Sequence, residues 1–261
     1  MLAAHTPAPP RPAAPPREPA RSGERPLPGS LGDLRAVLRR LERASMGGRW
    51  GVLETGLAPV DAALPGGGLE RGRLHELTGE AAMGFALFLL ARIDGPILWI
   101  RDDGRPAGLY GPGLVQRGID PARLAIAHAS KPEDALWVME EALRDGSVTA
   151  VLLDTGQSVA LTPARRLQLA AEGGGALGLI LTRGSNGAGL HPATLDTRWR
   201  IDAAPGRDKG RHQARLLELE RCRGGRPARF RMEECWDGFA QRRKALAVDL
   251  AAAPVHGPVA A

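Results

Sequence analysis

Four short apolar runs lie in the middle of the chain, at residues 96–100, 124–127, 149–154 and 177–182. Each run is apolar at consecutive positions and is followed by polar residues, which is typical of a strand buried on both faces of a sheet. Between these runs, residues 132–146 and 163–175 place apolar side chains at helical spacing. Strands that alternate with helices predict a parallel α/β sheet.

A different pattern begins after Asp196. Residues 197–204, 213–221 and 227–234 alternate polar and apolar side chains with a period of two, which is typical of antiparallel strands with one exposed face. We therefore predict a three-layer α/β domain with a mostly parallel central sheet and an antiparallel edge formed by its C-terminal part.

The two ends of the chain differ from this domain in composition. Residues 1–29 hold nine prolines among alanines and arginines. Because proline fixes φ and removes an N–H donor, we predict that these residues form a disordered tail. We place the domain at residues 48–243, and we expect the alanine- and proline-rich residues 244–261 to be a flexible tail.

Residues 30–47, between the first tail and the domain, have the pattern of an amphipathic helix. Leu34, Leu38 and Leu41 fall along one face of this helix, and the other face is basic. The apolar face predicts docking, either on the domain itself or on another protein.

The composition is that of a globular protein, with 43% hydrophobic and 25% charged residues. The net charge of +6 favours nucleic acid or acidic partners, although a genome that is biased toward arginine gives the same charge without any partner.

Cys222 and Cys235 are predicted to be reduced, and no histidine spacing predicts a metal site. Trp50, Trp99 and Trp137 are predicted to lie in the core or beside strands. No run of about 18 apolar residues predicts a membrane span, so we expect a cytoplasmic protein.

The turn after residues 73–77 has the spacing of a phosphate-binding loop, G-x-x-x-x-G-K-[ST]. In such a loop backbone N–H groups wrap the anion, the lysine reaches the terminal phosphates and the hydroxyl holds magnesium. Gly79 and Gly84 have the required interval, but Phe85 stands in place of the lysine and Ala86 in place of the hydroxyl. We expect the Phe85 ring to fill space that a phosphate needs. The residues leave two interpretations open: a nucleotide site that has lost its chemistry, or a glycine turn before an apolar helix.

The residues before this turn resemble the segment that leads into the phosphate loop of the RecA recombinases. In that family a run of the form TG...LD..LGGGLP.GR..E..G precedes the loop. The matching residues follow in the same order: Thr55, Gly56, Asp61, Leu64, Gly67, Gly68, Leu69, Gly72, Arg73, Glu76 and Gly79. The resemblance extends over residues 50–235 and implies a RecA-like fold.

The same resemblance implies roles for other positions. Asp154 matches the acid on the metal side of the site, Asp102 and Asp103 lie where the catalytic glutamate is expected, and Arg183 stands where the family has a nucleotide-sensing glutamine. Because the lysine and the hydroxyl are both replaced, the charge neutralisation that ATP hydrolysis needs is missing. We therefore expect a domain without ATPase activity and without a cofactor.

A RecA-related chain of this length with such a loop resembles the ImuA family. This resemblance implies a non-catalytic accessory protein in SOS-inducible, error-prone DNA synthesis past lesions. The implied partners are an ImuB-type homologue of the Y-family polymerases, RecA, and a DnaE-type error-prone polymerase. Two alternatives stay open: an atypical RecA-like repair protein that binds ATP or ADP through backbone amides alone, and a SulA-like inhibitor of cell division.

Two segments are candidates for partner binding. The first is the amphipathic helix at residues 30–47. The second is the basic C-terminal segment, in which Arg229, Phe230, Trp236 and Phe239 combine positive charge with aromatic side chains. Arginine and aromatic residues are enriched at interface hot spots, but the same mixture suits a weak contact with single-stranded DNA. An ordinary edge hairpin with a solvated face is the third interpretation.

Overall fold

The computed structural model describes residues 49–102, 109–183, 192–206, 212–237 and 242–250. The predicted tail and helix of residues 1–47 lie outside the described residues. The strands in the described residues are, in chain order, β1 (Val52–Leu53), β2 (Leu69–Glu70), β3 (Leu74–Thr78), β4 (Ile97–Arg101), β5 (Leu124–His128), β6 (Ala150–Thr155), β7 (Leu177–Thr182), β8 (Thr197–Ala204), β9 (His212–Cys222), β10 (Ala228–Asp237) and β11 (Arg242–Leu250).

The helices in the same residues are α1 (Ala58–Ala63), α2 (Ala82–Leu90), α3 (Gly111–Gln116), α4 (Pro132–Asp145) and α5 (Leu161–Gly174), with single 3-10 turns at Pro121–Arg123 and Pro192–Thr194. The local sequence explains the limits of α4. Pro132 takes the first helical position, where its missing N–H costs nothing, and Glu133 and Asp134 complement the dipole in the first turn. Gly146 ends the helix with a φ of +72°.

Nine strands form one sheet in the order β11-β10-β9-β8-β3-β7-β6-β4-β5, and β1 pairs separately with β2. The six strands from β8 to β5 in this order are parallel to one another. The strands predicted at residues 124–127, 149–154 and 177–182 are confirmed as β5, β6 and β7, and the run at 96–100 corresponds to β4. The carboxyl ends of these strands therefore meet at one edge of the sheet.

The antiparallel part of the sheet differs from the prediction in two respects. We expected residues 197–204 to belong to it, but β8 runs parallel to β3 and becomes a boundary strand, antiparallel only to β9. We also placed a flexible tail from residue 244, whereas β11 pairs with β10 along its full length to Leu250. Ala245 and Ala247 pack against the core while Val248 faces solvent, so the segment alternates as a strand does.

The sheet has an apolar core on each face. Helix α2 covers one face, where Phe85 and Leu89 pack with Trp199 of β8 and Leu217 of β9. The other face is covered by α4 and α5, with side chains such as Met139, Leu143 and Leu167 against Val151 and Ile180. Alternate residues of each central strand point to opposite faces, and this gives the three layers that the apolar runs predicted.

Candidate functional site

The turn between β3 and α2 is short, because the helix begins at Ala82 and takes in most residues of the expected loop. Gly79 has a φ of +96°, and a Cβ there would lie 2.3 Å from the carbonyl oxygen of Ile201, so only glycine fits. The Ala81 N–H donates to the same carbonyl at 3.0 Å, and the Ala82 N–H donates to the Gly79 carbonyl at 3.2 Å. Two backbone donors that would face a phosphate are therefore used within the protein.

Phe85 and Ala86 are fully buried. The Phe85 ring stacks on Phe88, with centroids 5.8 Å apart, and packs at a tilt against Trp199, with centroids 5.9 Å apart. The expectation that this ring fills the space of a phosphate is wrong, because the side chain points into the core. A lysine at position 85 would place its ammonium group among apolar side chains, where burial of a charge is costly.

Gly84 makes room for a buried ion pair. A Cβ at Gly84 would lie 2.7 Å from Nη2 of Arg215, whose guanidinium pairs with the buried carboxylate of Glu234. Arg117 adds a second guanidinium, with Nη1 3.9 Å from Oε2 of Glu234. Sequence reasoning missed this pair, although the alternation of β9 contained a signal: Arg215 lies on the same face of the strand as the buried Leu217. A charged residue in line with core residues indicates a buried partner.

Asp154 and Arg183, both predicted site residues, meet at the carboxyl ends of β6 and β7. Nε of Arg183 lies 2.7 Å from Oδ1 of Asp154, and its Nη2 lies 3.4 Å from Oδ1 of Asp102. The Thr155 hydroxyl also donates to Asp102, and Nε of Arg101 lies 3.8 Å from Oδ2 of Asp154. The acid on the expected metal side therefore has two guanidinium groups beside it, and their charge opposes the approach of a divalent cation.

The other predicted site residues differ in where the structure places them. Arg229 is partly exposed and binds Glu218 through Nε at 2.9 Å and Nη2 at 2.6 Å. Phe230 is fully buried, with its ring 6.4 Å from that of Trp199; its prediction as an exposed partner-binding residue is wrong, because the alternation of β10 directs it into the core. The backbone of Trp236 belongs to β10. The remaining residues lie outside the described part of the chain: Leu34, Leu38, Leu41, Asp103 and Phe239.

Buried titratable groups cluster at the amino ends of β3 and β8. This is the edge of the parallel sheet opposite to the one where Asp154 and Arg183 meet. The His75 Nε2–H donates to the Glu70 carbonyl at 2.9 Å, and His75 Nδ1 accepts from the Thr197 hydroxyl at 2.9 Å. Both ring nitrogens are thus satisfied in the neutral form, and burial lowers the pKa of His75 to about 4. Burial also raises the pKa of Asp196 to about 6 and that of the Cys222 thiol to about 12. At neutral pH the histidine and the thiol therefore remain uncharged.

Among the described residues, no three His, Cys, Asp or Glu side chains come together in a way that could hold a metal ion. Cys222 and Cys235 are both free thiols. Within the same part of the chain, no helix has the length and apolar character needed to cross a membrane.

Comparison with known proteins identifies the family. No protein-family model matches the chain. The chain is 37% identical over 200 residues to Protein ImuA of Caulobacter vibrioides (strain NA1000 / CB15N), and the alignment covers 67% of this chain and 80% of that protein. The chain belongs to the ImuA family.

This ImuA-family chain is also similar to RecA proteins and to a recombinase structure. It is 30% identical over 140 residues to Protein RecA of Chlorobium chlorochromatii (strain CaD3), covering 51% of this chain and 38% of that protein. The crystal structure of the RadB recombinase matches with a TM-score of 0.50 and 19% identity, over 69% of this chain and 95% of that one. The predicted fold class is confirmed: the fold is RecA-like, with a mostly parallel central sheet and antiparallel edge strands.

Proposed function

We propose that this ImuA-family chain is a RecA-like accessory protein without catalytic activity, which acts in the cytoplasm in SOS-inducible, error-prone translesion synthesis. Its proposed partners are an ImuB-type homologue of the Y-family polymerases, RecA, and a DnaE-type error-prone polymerase in the same assembly. The proposal is carried by the observation that Phe85 and Ala86, which stand in place of the lysine and the hydroxyl, are buried in the core, together with the ion pair that Arg183 forms with Asp154.

One burial observation and one contact support a role without turnover. ATP hydrolysis needs a group that neutralises the transferred phosphate and a cation held in a defined place. Phe85 and Ala86 provide neither, because one side chain is an apolar ring and the other a methyl group, and both are buried on the core-facing side of α2. Arg183 lies 2.7 Å from the carboxylate of Asp154, the acid that would otherwise act toward the metal. A scaffold arranged in this way favours binding to other proteins over chemistry on a nucleotide.

The absence of turnover is tested on the purified full-length chain. Release of inorganic phosphate is measured with ATP and Mg²⁺, with and without single-stranded DNA, and a fluorescent ATP analogue is titrated in parallel; a RecA protein is the positive control. We expect no phosphate release above the blank and no saturable binding. Steady, metal-dependent release would overturn the proposal. Saturable binding without release would support the alternative in which backbone amides alone hold ATP or ADP.

Partner binding is tested by immobilising the full-length chain and adding the purified ImuB-type homologue, RecA or DnaE-type polymerase. A double variant, Leu34→Glu with Leu38→Glu, disrupts the apolar stripe of the helix predicted at residues 30–47, and Arg43→Glu changes the opposite face as a control. We expect the double variant to lose a partner that the control retains. If none of the three proteins binds the wild type, the interaction role is wrong, and binding to the division protein FtsZ would instead support the SulA-like alternative.

A further inference from the structure

The outer surface of the helix pair α4 and α5 carries large apolar side chains. Trp137 is 60% exposed, Leu161 is 49% exposed and Leu169 is 53% exposed. They line two neighbouring depressions, one of about 230 Å³ beside Trp137 and one of about 510 Å³ between Leu161 and Leu169. The first lies between α4 and α5, and the second lies between α5 and the Pro192–Thr194 turn. Arg166 borders both depressions, and we call the two together the α4–α5 groove. Adjacent exposed apolar side chains of this size mark a binding surface more often than isolated ones do.

The two depressions of the α4–α5 groove differ in charge, because acids line only the one beside Trp137. Nη2 of Arg166 lies 2.5 Å from Oε2 of Glu140, so part of its charge is neutralised within the protein. Arg165 donates from Nη1 to the neutral amide oxygen of Gln168 at 2.7 Å, and no carboxylate of the described residues forms an ion pair with it. The Leu161–Leu169 depression thus has two guanidinium groups on its border and, among the described residues, no acid in its lining.

We propose that the α4–α5 groove binds a segment of a partner protein in which large apolar side chains stand next to carboxylates. The apolar side chains cover Trp137, Leu161 and Leu169, and a carboxylate pairs with Arg165. Arginine presents a planar pair of donors that matches a carboxylate, and tryptophan and arginine are the residues most enriched at interface hot spots. The inference rests on the proposed function, since it gives the surface and the partner chemistry for the same protein-binding role.

The groove fits a polypeptide better than single-stranded DNA. A DNA strand carries a phosphate at every nucleotide and would bring some of them past Glu133 and Glu140, which line the depression beside Trp137 and repel negative charge. A peptide can confine its carboxylates to the Arg165 end of the groove. Strand binding also uses aromatic rings on which successive bases stack, whereas the larger depression is lined by the aliphatic side chains of Leu161 and Leu169. An acidic segment with apolar side chains can place its carboxylate at Arg165 and its apolar groups over the rest of the groove.

The test uses the full-length chain and a display library of random 16-residue peptides. Selected peptides are sequenced, synthesised with a fluorescent label, and titrated against the wild type and four variants by fluorescence anisotropy; labelled oligo-dT is titrated as the DNA probe. Leu169→Glu and Arg165→Glu change the groove. Val115→Glu and Arg226→Glu make the same kinds of change at exposed positions on α3 and in the β9–β10 turn.

We expect the selected peptides to share carboxylates beside large apolar residues. Their Kd should rise at least about tenfold in both groove variants and stay unchanged in both controls. Because the altered side chains are exposed, the groove variants should keep the wild-type melting temperature; if Leu169→Glu does not fold, Arg165→Glu alone decides. Failure to enrich any peptide, enrichment of peptides without carboxylates, or affinities that both groove variants retain would overturn the proposal. The proposal would also be overturned if oligo-dT bound the wild type, Arg165→Glu abolished that binding, and no peptide bound.

The failure of the groove assignment can be distinguished from the failure of the proposed function. If the ImuB-type homologue, RecA or the DnaE-type polymerase binds equally well to the wild type and to both groove variants, the accessory role stands and the groove assignment fails. If peptides bind in the groove but none of the three proteins binds the chain, the groove assignment stands and the proposed partners are wrong.

Discussion

Replacing Asp196 with asparagine should stabilise the protein at pH 7 and leave its stability nearly unchanged at pH 4. Asp196 is 6% exposed, and its Oδ1 has no hydrogen-bond partner in the described residues, so the ionised carboxylate loses water without recovering equivalent bonds. Burial raises its pKa from 3.8 to about 6, although the charges of Arg73 and Arg223 act in the opposite direction. Asparagine keeps the shape of the neutral acid and carries no charge to bury.

The size of the effect follows from the two pKa values of this carboxyl group. The unfolded chain releases the proton near pH 3.8 and the folded protein releases it near pH 6, so between these values only the folded state holds it. The stability that Asp196 contributes is therefore fully present below pH 3.8 and is lost as the pH rises through 6. One pKa unit corresponds to about 1.4 kcal/mol, so at pH 7 the buried carboxylate costs about 3 kcal/mol.

His75 changes the stability in the opposite direction. Its pKa falls from 6.5 in the unfolded chain to about 4 in the folded protein, so its contribution is present above pH 6.5 and is lost as the pH falls through 4. This loss is also about 3 kcal/mol. Because the two ranges overlap between pH 4 and 6, the two groups oppose each other in the wild type. Asp196→Asn removes one of them, and the histidine then makes stability fall with decreasing pH.

The assay is urea denaturation at several pH values between 7 and 4, which gives the free energy of unfolding of wild type and variant. The difference between them should be about 3 kcal/mol at pH 7 and should shrink toward zero at pH 4. Asp94→Asn removes an exposed carboxylate and should show no such dependence. A variant that is less stable than the wild type at pH 7, or a difference that does not change with pH, would refute the reasoning.

Three further substitutions test the candidate site. Gly84→Ala should lower the free energy of unfolding by about 1–2 kcal/mol. Its methyl group presses on the guanidinium of Arg215, which the ion pair with Glu234 holds in place, and this cost exceeds the gain of about 1 kcal/mol that alanine brings inside a helix. Gly156→Ala meets nothing within 4 Å and should be neutral in the same denaturation assay, so equal losses would contradict the packing argument. Phe85→Lys should cost at least about 3 kcal/mol, seen as a lower or lost thermal transition by circular dichroism, and should create no ATPase activity; phosphate release by a stable variant would disprove this. Arg183→Met should cost about 1–2 kcal/mol, and adding Asp154→Asn should recover part of it. A double-mutant cycle with no coupling energy would show that the two side chains are not linked.

The apolar runs predict the parallel part of the sheet well because its strands are buried on both faces. The runs at 149–154 and 177–182 differ from β6 and β7 by no more than one residue. Strand β11 was missed because its alanines alternate with leucine and valine, so the two faces of the strand differ little in hydrophobicity. The pair of Arg215 with Glu234 was also missed. The alternation of β9 indicates that Arg215 is buried, but the identity of its partner depends on which strands are neighbours, and that is not contained in one strand's alternation.

The prediction for Trp137 is wrong, and the helical period of α4 gives the reason. We expected it in the core or beside a strand, but it is 60% exposed. Ala135 and Met139, four positions apart, form the buried stripe of α4, and a residue midway between them points to the opposite side of a helix. The size and apolar character of tryptophan suggested burial, while its position in the pattern indicated the surface.

The residues that this chain shares with the RecA recombinases hold its own backbone together. The Asp61 carboxylate accepts the N–H and the hydroxyl of Thr55 at 2.8 and 2.7 Å and the N–H of Gly56 at 3.0 Å. A Cβ at Gly68 would lie 2.5 Å from the carbonyl oxygen of Leu53, so the two segments approach too closely for any side chain. None of these contacts needs a nucleotide. A chain that keeps the scaffold but not the turnover must retain such residues, and it is free to replace the lysine and the hydroxyl that only phosphate and magnesium require. The combination of matched and replaced positions is therefore what the proposed accessory role predicts.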